Sequence, residues 1–101
     1  MYDIVVDFFA EAQLDSHVRF ASTVNMTFAR SITNSFENAL QNLSTNPDRH
    51  PLWLTDFPIP RAYRKILIRK RYLILFYIEE NNIFIDYILD CRMNNSNFLY
   101  F

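Results

Sequence analysis

The stretch Arg61–Arg92 reads RAYRKILIRKRYLILFYIEENNIFIDYILDCR, and its pattern decides the fold. Six of its first eleven residues are basic and none is acidic. Two short polar breaks, Arg69–Arg71 and Glu79–Asn82, divide the rest into runs rich in β-branched and aromatic residues, which are Tyr63–Ile68, Tyr72–Ile78 and Ile83–Leu89. This pattern predicts three antiparallel strands joined by two tight hairpins, with a cationic first strand.

The sequence before this stretch predicts one strand and two helices. Tyr2–Phe9 alternates its side chains as a strand with one apolar face does. Glu11–Ser22 and Met26–Asn46 have apolar residues at helical spacing; Asn25 can cap the second helix, and Pro47 ends it. The resulting order, β-α-α-β-β-β, predicts an α+β fold in which two helices cover one face of an antiparallel sheet.

Three further expectations concern loops, turns and the core. The segment Asp48–Pro60 is expected to be an ordered loop that Trp53 and Phe57 attach to the core. Because the chain contains no glycine, turn positions with positive φ are expected to fall on asparagine, as at Asn81–Asn82. The core is expected to include Ile32, Phe36, Leu40, Leu43, Ile74, Phe76 and Ile85.

Length and composition limit the class of protein. The chain of 101 residues is predicted to form a single domain, residues 1–101. The single Cys91 excludes an internal disulfide and, with no signal peptide or membrane-spanning run, predicts a cytoplasmic protein. The lack of glycine excludes a Gly-rich phosphate loop. Neither His17 nor His50 has a carboxylate or cysteine at ligand spacing, so no metal or other cofactor is expected.

Charge is unevenly distributed along the chain. Residues 1–60 carry three basic and seven acidic side chains, whereas residues 61–101 carry seven basic and four acidic ones. The cationic half predicts a surface for a polyanion or an acidic partner, although the net charge of -1 counts against tight nucleic-acid binding by the domain alone. The candidate binding residues are Arg61, Arg64, Lys65, Arg69, Lys70, Arg71 and Arg92.

Several short motifs, taken in order, resemble the RelE/ParE family of bacterial toxins. Tyr63–Ile68 followed by Tyr72–Tyr77 looks like the family's "YRKLVV…YLIFY" strand pair. Ile88–Arg92 is similar to its closing "I-L-[HY]-G-R", and Asn97–Leu99 to the apolar end of the tail. Pro47–Leu52 resembles the "P-x-x-x-P-L" that follows the second helix. The resemblance covers nearly the whole chain and implies the same β-α-α-β-β-β fold.

The resemblance also implies a function, with two alternatives. The chain would be the toxin of a type II toxin–antitoxin system, held in a hetero-oligomer by a cognate antitoxin that neutralises it. One branch of the family poisons DNA gyrase, and the other cleaves messenger RNA on the ribosome. In the second case the chain would be a metal-independent endoribonuclease with Arg64, Arg92 and Asp90 as catalytic residues.

The sequence favours the ParE side of the family. RNA cleavage without a metal needs cations around the phosphate and groups that move protons. The positions where the nuclease branch carries such groups hold other residues here, namely Ile66, Leu73, Met93 and Asn95. We therefore expect growth inhibition by binding of a macromolecular target, with enzymatic activity as the alternative.

Each candidate residue also has a structural interpretation. Arg64 can be a salt-bridge partner of Glu79 or Asp86, and Asp90 is expected to be a solvated charge at the end of a strand. The hairpin Arg69–Arg71 is expected to be solvated as well.

The expected partner is an acidic or amphipathic antitoxin segment that meets Arg61–Arg71 and Arg92. An exposed part of the second helix, such as Phe28, can also receive such a segment. An extended segment can add to an open sheet edge instead, where backbone pairing supplies affinity.

Overall fold

The computed structural model describes residues 1–54 and 61–92. The elements, in chain order, are β1 (Asp3–Val6), α1 (Phe8–Ser22), α2 (Met26–Leu43), a 3-10 turn (Pro47–Arg49), β2 (Arg64–Ile68), β3 (Tyr72–Glu79) and β4 (Asn82–Asp90). The predicted α+β class and the order β-α-α-β-β-β are confirmed. Neither helix in these two ranges is long and apolar enough to cross a membrane.

The four strands form one sheet in the order β1-β4-β3-β2. The pairs β2–β3 and β3–β4 are antiparallel, as predicted, but β1 runs parallel to β4. The expectation of a fully antiparallel sheet is therefore wrong at this edge. The two longest and most apolar strands, β3 and β4, lie at the centre of the sheet. The long connection from β1 to β4, which contains both helices and the other two strands, permits parallel pairing.

Side-chain caps determine where the two helices begin. The Asp7 carboxylate accepts a hydrogen bond of 2.9 Å from the Phe9 N–H, so β1 ends at Val6 and α1 takes the residues predicted to end the strand. The Asn25 side chain caps α2 as predicted and accepts from the Phe28 N–H at 3.1 Å.

The main core lies between the helices and one face of the sheet. All the predicted core residues are buried there except Leu40, which is half-buried. A smaller cluster on the opposite face of the sheet contains Tyr63, Leu75 and Leu89, and Trp53 packs against it. Trp53 thus attaches its segment to the sheet, whereas Phe57 lies outside the described residues.

One residue of β4 has no partner in β3. The register shifts between Leu75 and Phe76, where Asp86 is the extra residue of a β-bulge. Beyond the bulge, Asp90 lies opposite Tyr72. The bulge therefore determines which residues meet at the far end of the β3–β4 ladder.

The hairpin turns use charged residues at their left-handed positions. Arg69 and Lys70 both have φ of 54°, and Glu80 has φ of 56°. Within residues 1–54 and 61–92, asparagine takes none of these positions, so that expectation is wrong. The β2–β3 loop, Arg69–Arg71, holds two successive residues at positive φ, at a cost of about 1–2 kcal/mol for each one that is not glycine. The β2–β3 turn thus presents cationic side chains at the end of the sheet in spite of an unfavourable backbone.

Candidate partner-binding surface

The predicted binding residues separate into two groups along the strands. Arg64 begins β2, whereas Ile68 at the other end of β2 pairs with Tyr72, level with the end of β4 at Asp90. Arg64 and Ile68 are four residue steps apart along the strand, a distance of about 13 Å. The fold therefore does not bring Arg64 and Arg92 together on one phosphate-sized ligand.

Three arginines and one carboxylate meet at the end of the sheet. We call Arg69, Arg71, Arg92 and Asp90 the arginine corner. The Asp90 carboxylate accepts hydrogen bonds from the Arg71 guanidinium at 3.4 Å and from the Arg92 guanidinium at 3.2 Å. It also accepts one from the Arg92 backbone N–H at 3.0 Å. Asp90 is only 5% exposed, so the expectation of a solvated strand-end carboxylate is wrong.

Aromatic rings fix the position of the corner. The Arg71 guanidinium lies 5.0 Å from the centroid of the Tyr72 ring and 5.5 Å from that of Phe28. The Arg69 guanidinium lies 5.8 Å from the same Phe28 ring. Such contacts are attractive because the face of the ring is negative. They join the β2–β3 hairpin to the beginning of α2, and the expectation that Arg71 would be solvated is wrong.

The members of the corner differ in what they offer a partner. The Arg71 side chain is 19% exposed, whereas that of Arg92 is 60% exposed. Arg69 and Lys70 are exposed in the turn, and no ion pair of Lys70 lies in the described part of the chain. Since the corner contains three guanidinium groups and one carboxylate, which binds Arg71 and Arg92, it keeps an excess of positive charge.

An apolar cleft lies beside the corner, at the junction of α1 and α2. We call it the helix-tip cleft; it holds about 370 Å³ and is lined by Phe20, Ala21, Val24, Asn25 and Phe28, with Arg71 and Arg92 at its rim. Phe20 is 63% exposed and Val24 is 79% exposed. An apolar floor beside cationic groups is complementary to an amphipathic acidic segment.

Arg64 lies at the other end of the sheet and is bound to the chain itself. Its guanidinium donates to the His50 carbonyl oxygen at 2.6 Å and to the Asp48 carbonyl oxygen at 3.3 Å. The expected salt bridge to Glu79 or Asp86 is wrong. These contacts attach the segment after α2 to the first residue of β2, which favours a structural role for Arg64.

The other two candidates on the second half of the chain are separated from the corner. Arg61 forms an exposed ion pair of 3.9 Å with Glu79 and lies over the Tyr77 ring at 4.3 Å. Lys65 follows Arg64 on β2 and therefore projects from the opposite face of the sheet, as the alternation of a strand requires.

The His17 ring has a hydrogen-bond partner, whereas no such partner of the buried His50 Nε2 lies in the described residues. The His17 Nε2 donates to the Ile88 carbonyl oxygen at 2.8 Å, which places the proton on that nitrogen. Burial, with further contributions from Arg49 and Arg64, lowers the pKa of His50. Among residues 1–54 and 61–92, no cluster of three or more His, Cys, Asp or Glu side chains could hold a metal ion.

The arrangement offers little for acid–base chemistry. Asp90 is the carboxylate predicted for the nuclease alternative, but both its oxygens accept hydrogen bonds from guanidinium groups. On the open face, the Tyr63 hydroxyl donates to the Asp86 carboxylate at 2.7 Å, and burial raises the pKa of that hydroxyl. A phenol with a raised pKa is a weaker acid than usual, so it does not replace the missing proton-transfer group.

Sequence reasoning missed two parts of this surface. The helix-tip cleft depends on Phe20, which lies in the predicted helix Glu11–Ser22, and on Val24, which lies between the two predicted helices. The sequence feature that could have identified them is an apolar residue next to a predicted turn, a place where side chains are expected to be exposed to solvent. The burial of Asp90 depends on the Asp86 bulge, whose signal is the change of phase in the isoleucine spacing at Ile83, Ile85 and Ile88.

Comparison with known proteins agrees with this description of the fold. No family model matches the sequence, and no curated protein matches it. Among solved structures, the chain is similar to one from the chromosomal ParDE TA (toxin–antitoxin) system of P. aeruginosa, with a TM-score of 0.69 and 16% sequence identity. The similarity covers 89% of this chain and 96% of that chain. The resemblance to RelE/ParE proteins is thus confirmed for the fold: this chain has the α+β fold of a chain from a ParDE system.

Proposed function

We propose that this protein is the toxin component of a type II toxin–antitoxin system. It inhibits growth by binding a macromolecular target, for which DNA gyrase is the first candidate, and a cognate antitoxin neutralises it. The observation that carries the proposal is the pairing of the arginine corner with the helix-tip cleft on a ParDE-like fold. Cationic groups beside an apolar cleft suit an antitoxin segment with acidic residues on one side and apolar residues on the other.

Arg92 is the central residue of the proposed surface. Its side chain is 60% exposed, although its guanidinium is bound to Asp90. It can therefore bind a carboxylate of the partner without a large rearrangement. Arg71 supports it from behind, because it is bound to Asp90 and to the Tyr72 and Phe28 rings. Burial of such a pair by a partner removes water and strengthens each charge-assisted hydrogen bond.

The ribosome-dependent nuclease alternative has less support. It needs Arg64 and Arg92 to act on one phosphate and Asp90 to accept a proton. Arg64 donates to two backbone carbonyls at the far end of β2, and Asp90 is bound by two arginines. We therefore expect the purified protein to leave free RNA intact and to reach its target by binding.

Inducible expression in a bacterial host tests the proposal. Wild-type protein should arrest growth and induce the SOS response before translation falls, as expected for a gyrase poison. Arg92→Glu should abolish arrest, because it reverses an exposed charge of the corner. Arg30→Glu is the matched control: it is exposed on α2, two residues from Phe28 and so on the other side of the helix, and it should leave arrest unchanged.

The same cells separate the alternatives. Co-expression of the product of the adjacent reading frame should restore growth and yield a complex that co-purifies with the wild-type chain but not with Arg92→Glu. Early translation arrest with codon-phased cleavage of messenger RNA would instead support the nuclease function. Normal growth at high levels of folded wild-type protein would reject a toxin of either kind.

A further inference from the structure

We propose that the outer edge of β2 accepts an extended acidic peptide as a fifth strand of the sheet. The side chains of that peptide would alternate between solvent and a groove between α2 and β2 that has an apolar floor and a polar wall. The inference rests on the proposed function for the identity of the natural peptide, which would be a segment of the antitoxin. It names a second contact surface, distinct from the helix-tip cleft.

The two edges of the sheet differ in how the chain closes them. Beyond the end of β1, α1 covers the outer edge of β4: the Ile88 N–H donates to the Gln13 Oε1 at 2.8 Å, and the His17 Nε2 donates to the Ile88 carbonyl oxygen at 2.8 Å. No strand in residues 1–54 and 61–92 closes the corresponding part of β2.

A short segment of the chain already pairs with the first part of the outer edge of β2 and leaves the rest of that edge without a partner strand in the described residues. The Trp53 N–H donates to the Tyr63 carbonyl oxygen at 2.8 Å, and the Lys65 N–H donates to the Pro51 carbonyl oxygen at 3.0 Å. These are the hydrogen bonds of an antiparallel pair, with Leu52 opposite Arg64. Pro51 has no N–H to continue the ladder, so the pairing ends at Lys65.

Leu67 is the next residue whose backbone faces outward. In an antiparallel pair, residues alternate between those bonded to the neighbouring strand and those whose N–H and C=O point away from it. Lys65 points away from β3, as its bond to Pro51 demonstrates, and Leu67 lies two residues further on. Its side chain is 54% exposed. A peptide strand can therefore continue the ladder where Pro51 leaves it.

A groove beside this edge offers a place for the peptide's side chains. It holds about 320 Å³, and its floor is formed by Ala39, Ile66 and Ile68. Ser35, Asn38 and Asn42 of α2 line one wall, with Arg69 also lining the groove. Ile66 and Ile68 project toward α2, so every second side chain of an added strand would project to that same side.

Charge selects an acidic peptide. Asn38 and Asn42 supply amide N–H donors, and Arg69 supplies a cation, while β2 contains Arg64 and Lys65 and no acidic residue. A glutamate or aspartate side chain accepts from both amide and guanidinium donors and finds no opposing carboxylate on the strand. An arginine or lysine in the same place would meet the positive potential of β2 and its hairpin.

The decisive experiment removes one backbone donor. A displayed library of random linear peptides is selected on the wild-type protein, and the affinity of the enriched peptides is then measured by calorimetry. Leu67→Pro removes an outward N–H that β3 does not use, so the fold should persist, and circular dichroism checks that it does. We expect peptides with an acidic residue, and roughly tenfold weaker binding to Leu67→Pro than to the Leu67→Val control.

The groove is tested separately. Asn38→Ala with Asn42→Ala should weaken the same peptides, whereas Asn34→Ala, an exposed asparagine of α2 that does not line the groove, should not. Hydrogen exchange at the Leu67 amide should slow on binding. The inference is overturned if no peptide is enriched, if the peptides bind Leu67→Pro as well as Leu67→Val, or if the Leu67 amide stays unprotected. If the peptide site fails these tests while the wild-type protein still arrests growth, the toxin proposal is retained and only this site is rejected.

Discussion

Arg64 and the arginine corner lie at opposite ends of β2, and they use the same side chain for different purposes. The Arg64 guanidinium donates to the carbonyl oxygens of His50 and Asp48 and attaches a loop to the sheet. In the corner, Arg71 and Arg92 share the buried Asp90, and Arg92 remains largely exposed. The two ends differ in the group that binds the guanidinium. At one end it is bound by backbone carbonyl oxygens. At the other end two arginines share a carboxylate, which leaves one guanidinium partly free to bind a partner.

A cationic residue at either end of this strand is therefore not necessarily a binding residue. Both ends contribute to the positive potential that the sequence displays. Only the corner combines that potential with an exposed guanidinium and an apolar cleft. Arginine variants at the two ends should therefore differ in which property they change: Arg64→Ala should lower stability, and Arg92→Ala should lower partner binding.

The largest expected effect comes from the carboxylate of the corner. Asp90→Asn removes the charge that holds Arg71 and Arg92 and leaves the nearly buried Arg71 unpaired, which should lower the free energy of unfolding by about 3 kcal/mol. Urea denaturation measures it. Asp48→Asn, at an exposed carboxylate, is the control and should change little. A loss below about 1 kcal/mol for Asp90→Asn would mean that the corner is held by its rings and not by its carboxylate.

A smaller loss is expected at the other end. Arg64→Ala leaves the carbonyls of His50 and Asp48 without their donor, at a cost of about 1–3 kcal/mol. The neighbouring Lys65→Ala, on the opposite face of the strand, should stay within about 0.5 kcal/mol of wild type. Equal stability of these two variants would contradict the structural role assigned to Arg64.

The smallest expected effect is a dependence on pH. Burial and the nearby arginines lower the pKa of His50 below its ordinary value of 6.5, so the unfolded chain takes up the proton first. The stability contributed by neutral His50 is complete above pH 6.5 and is lost as the pH falls below it toward the folded-state pKa. His50→Gln, measured across the same range, should flatten this dependence. An unchanged pH profile in that variant would exclude His50 as its source.

Much of the fold could be predicted from the sequence, because the spacing of apolar residues and the apolar content of each segment indicated the same elements along the chain. The α2 stripe and the three runs after Arg61 became a helix and three strands almost residue for residue. The direction of β1 could not be predicted. The alternation of apolar and polar side chains shows which face of a strand is buried, but not which strand pairs with it. The turn residues were wrong because the hairpin geometry sets φ, and Arg69 and Lys70 accept it in the absence of glycine.

The candidate site was predicted in composition and not in arrangement. Counting back from the turn pair Glu79–Asn82 without a bulge would place Leu89 opposite Tyr72. The Asp86 bulge shifts this register by one residue and brings Asp90 there instead, beside Arg71. A register shift of one residue moves every later side chain to the other face of the strand. The bulge therefore accounts for the burial of Asp90, whose position at the end of a strand predicts a solvated charge.

The proposal that the corner binds and Arg64 supports the fold is tested most directly by one paired measurement on Arg92→Ala. Its free energy of unfolding and its ability to arrest growth after induction are determined together, at matched protein levels. We expect the free energy of unfolding to stay within about 0.5–1 kcal/mol of wild type, since this arginine is mostly exposed, while growth arrest is lost. Full growth arrest by the folded Arg92→Ala protein would contradict the account.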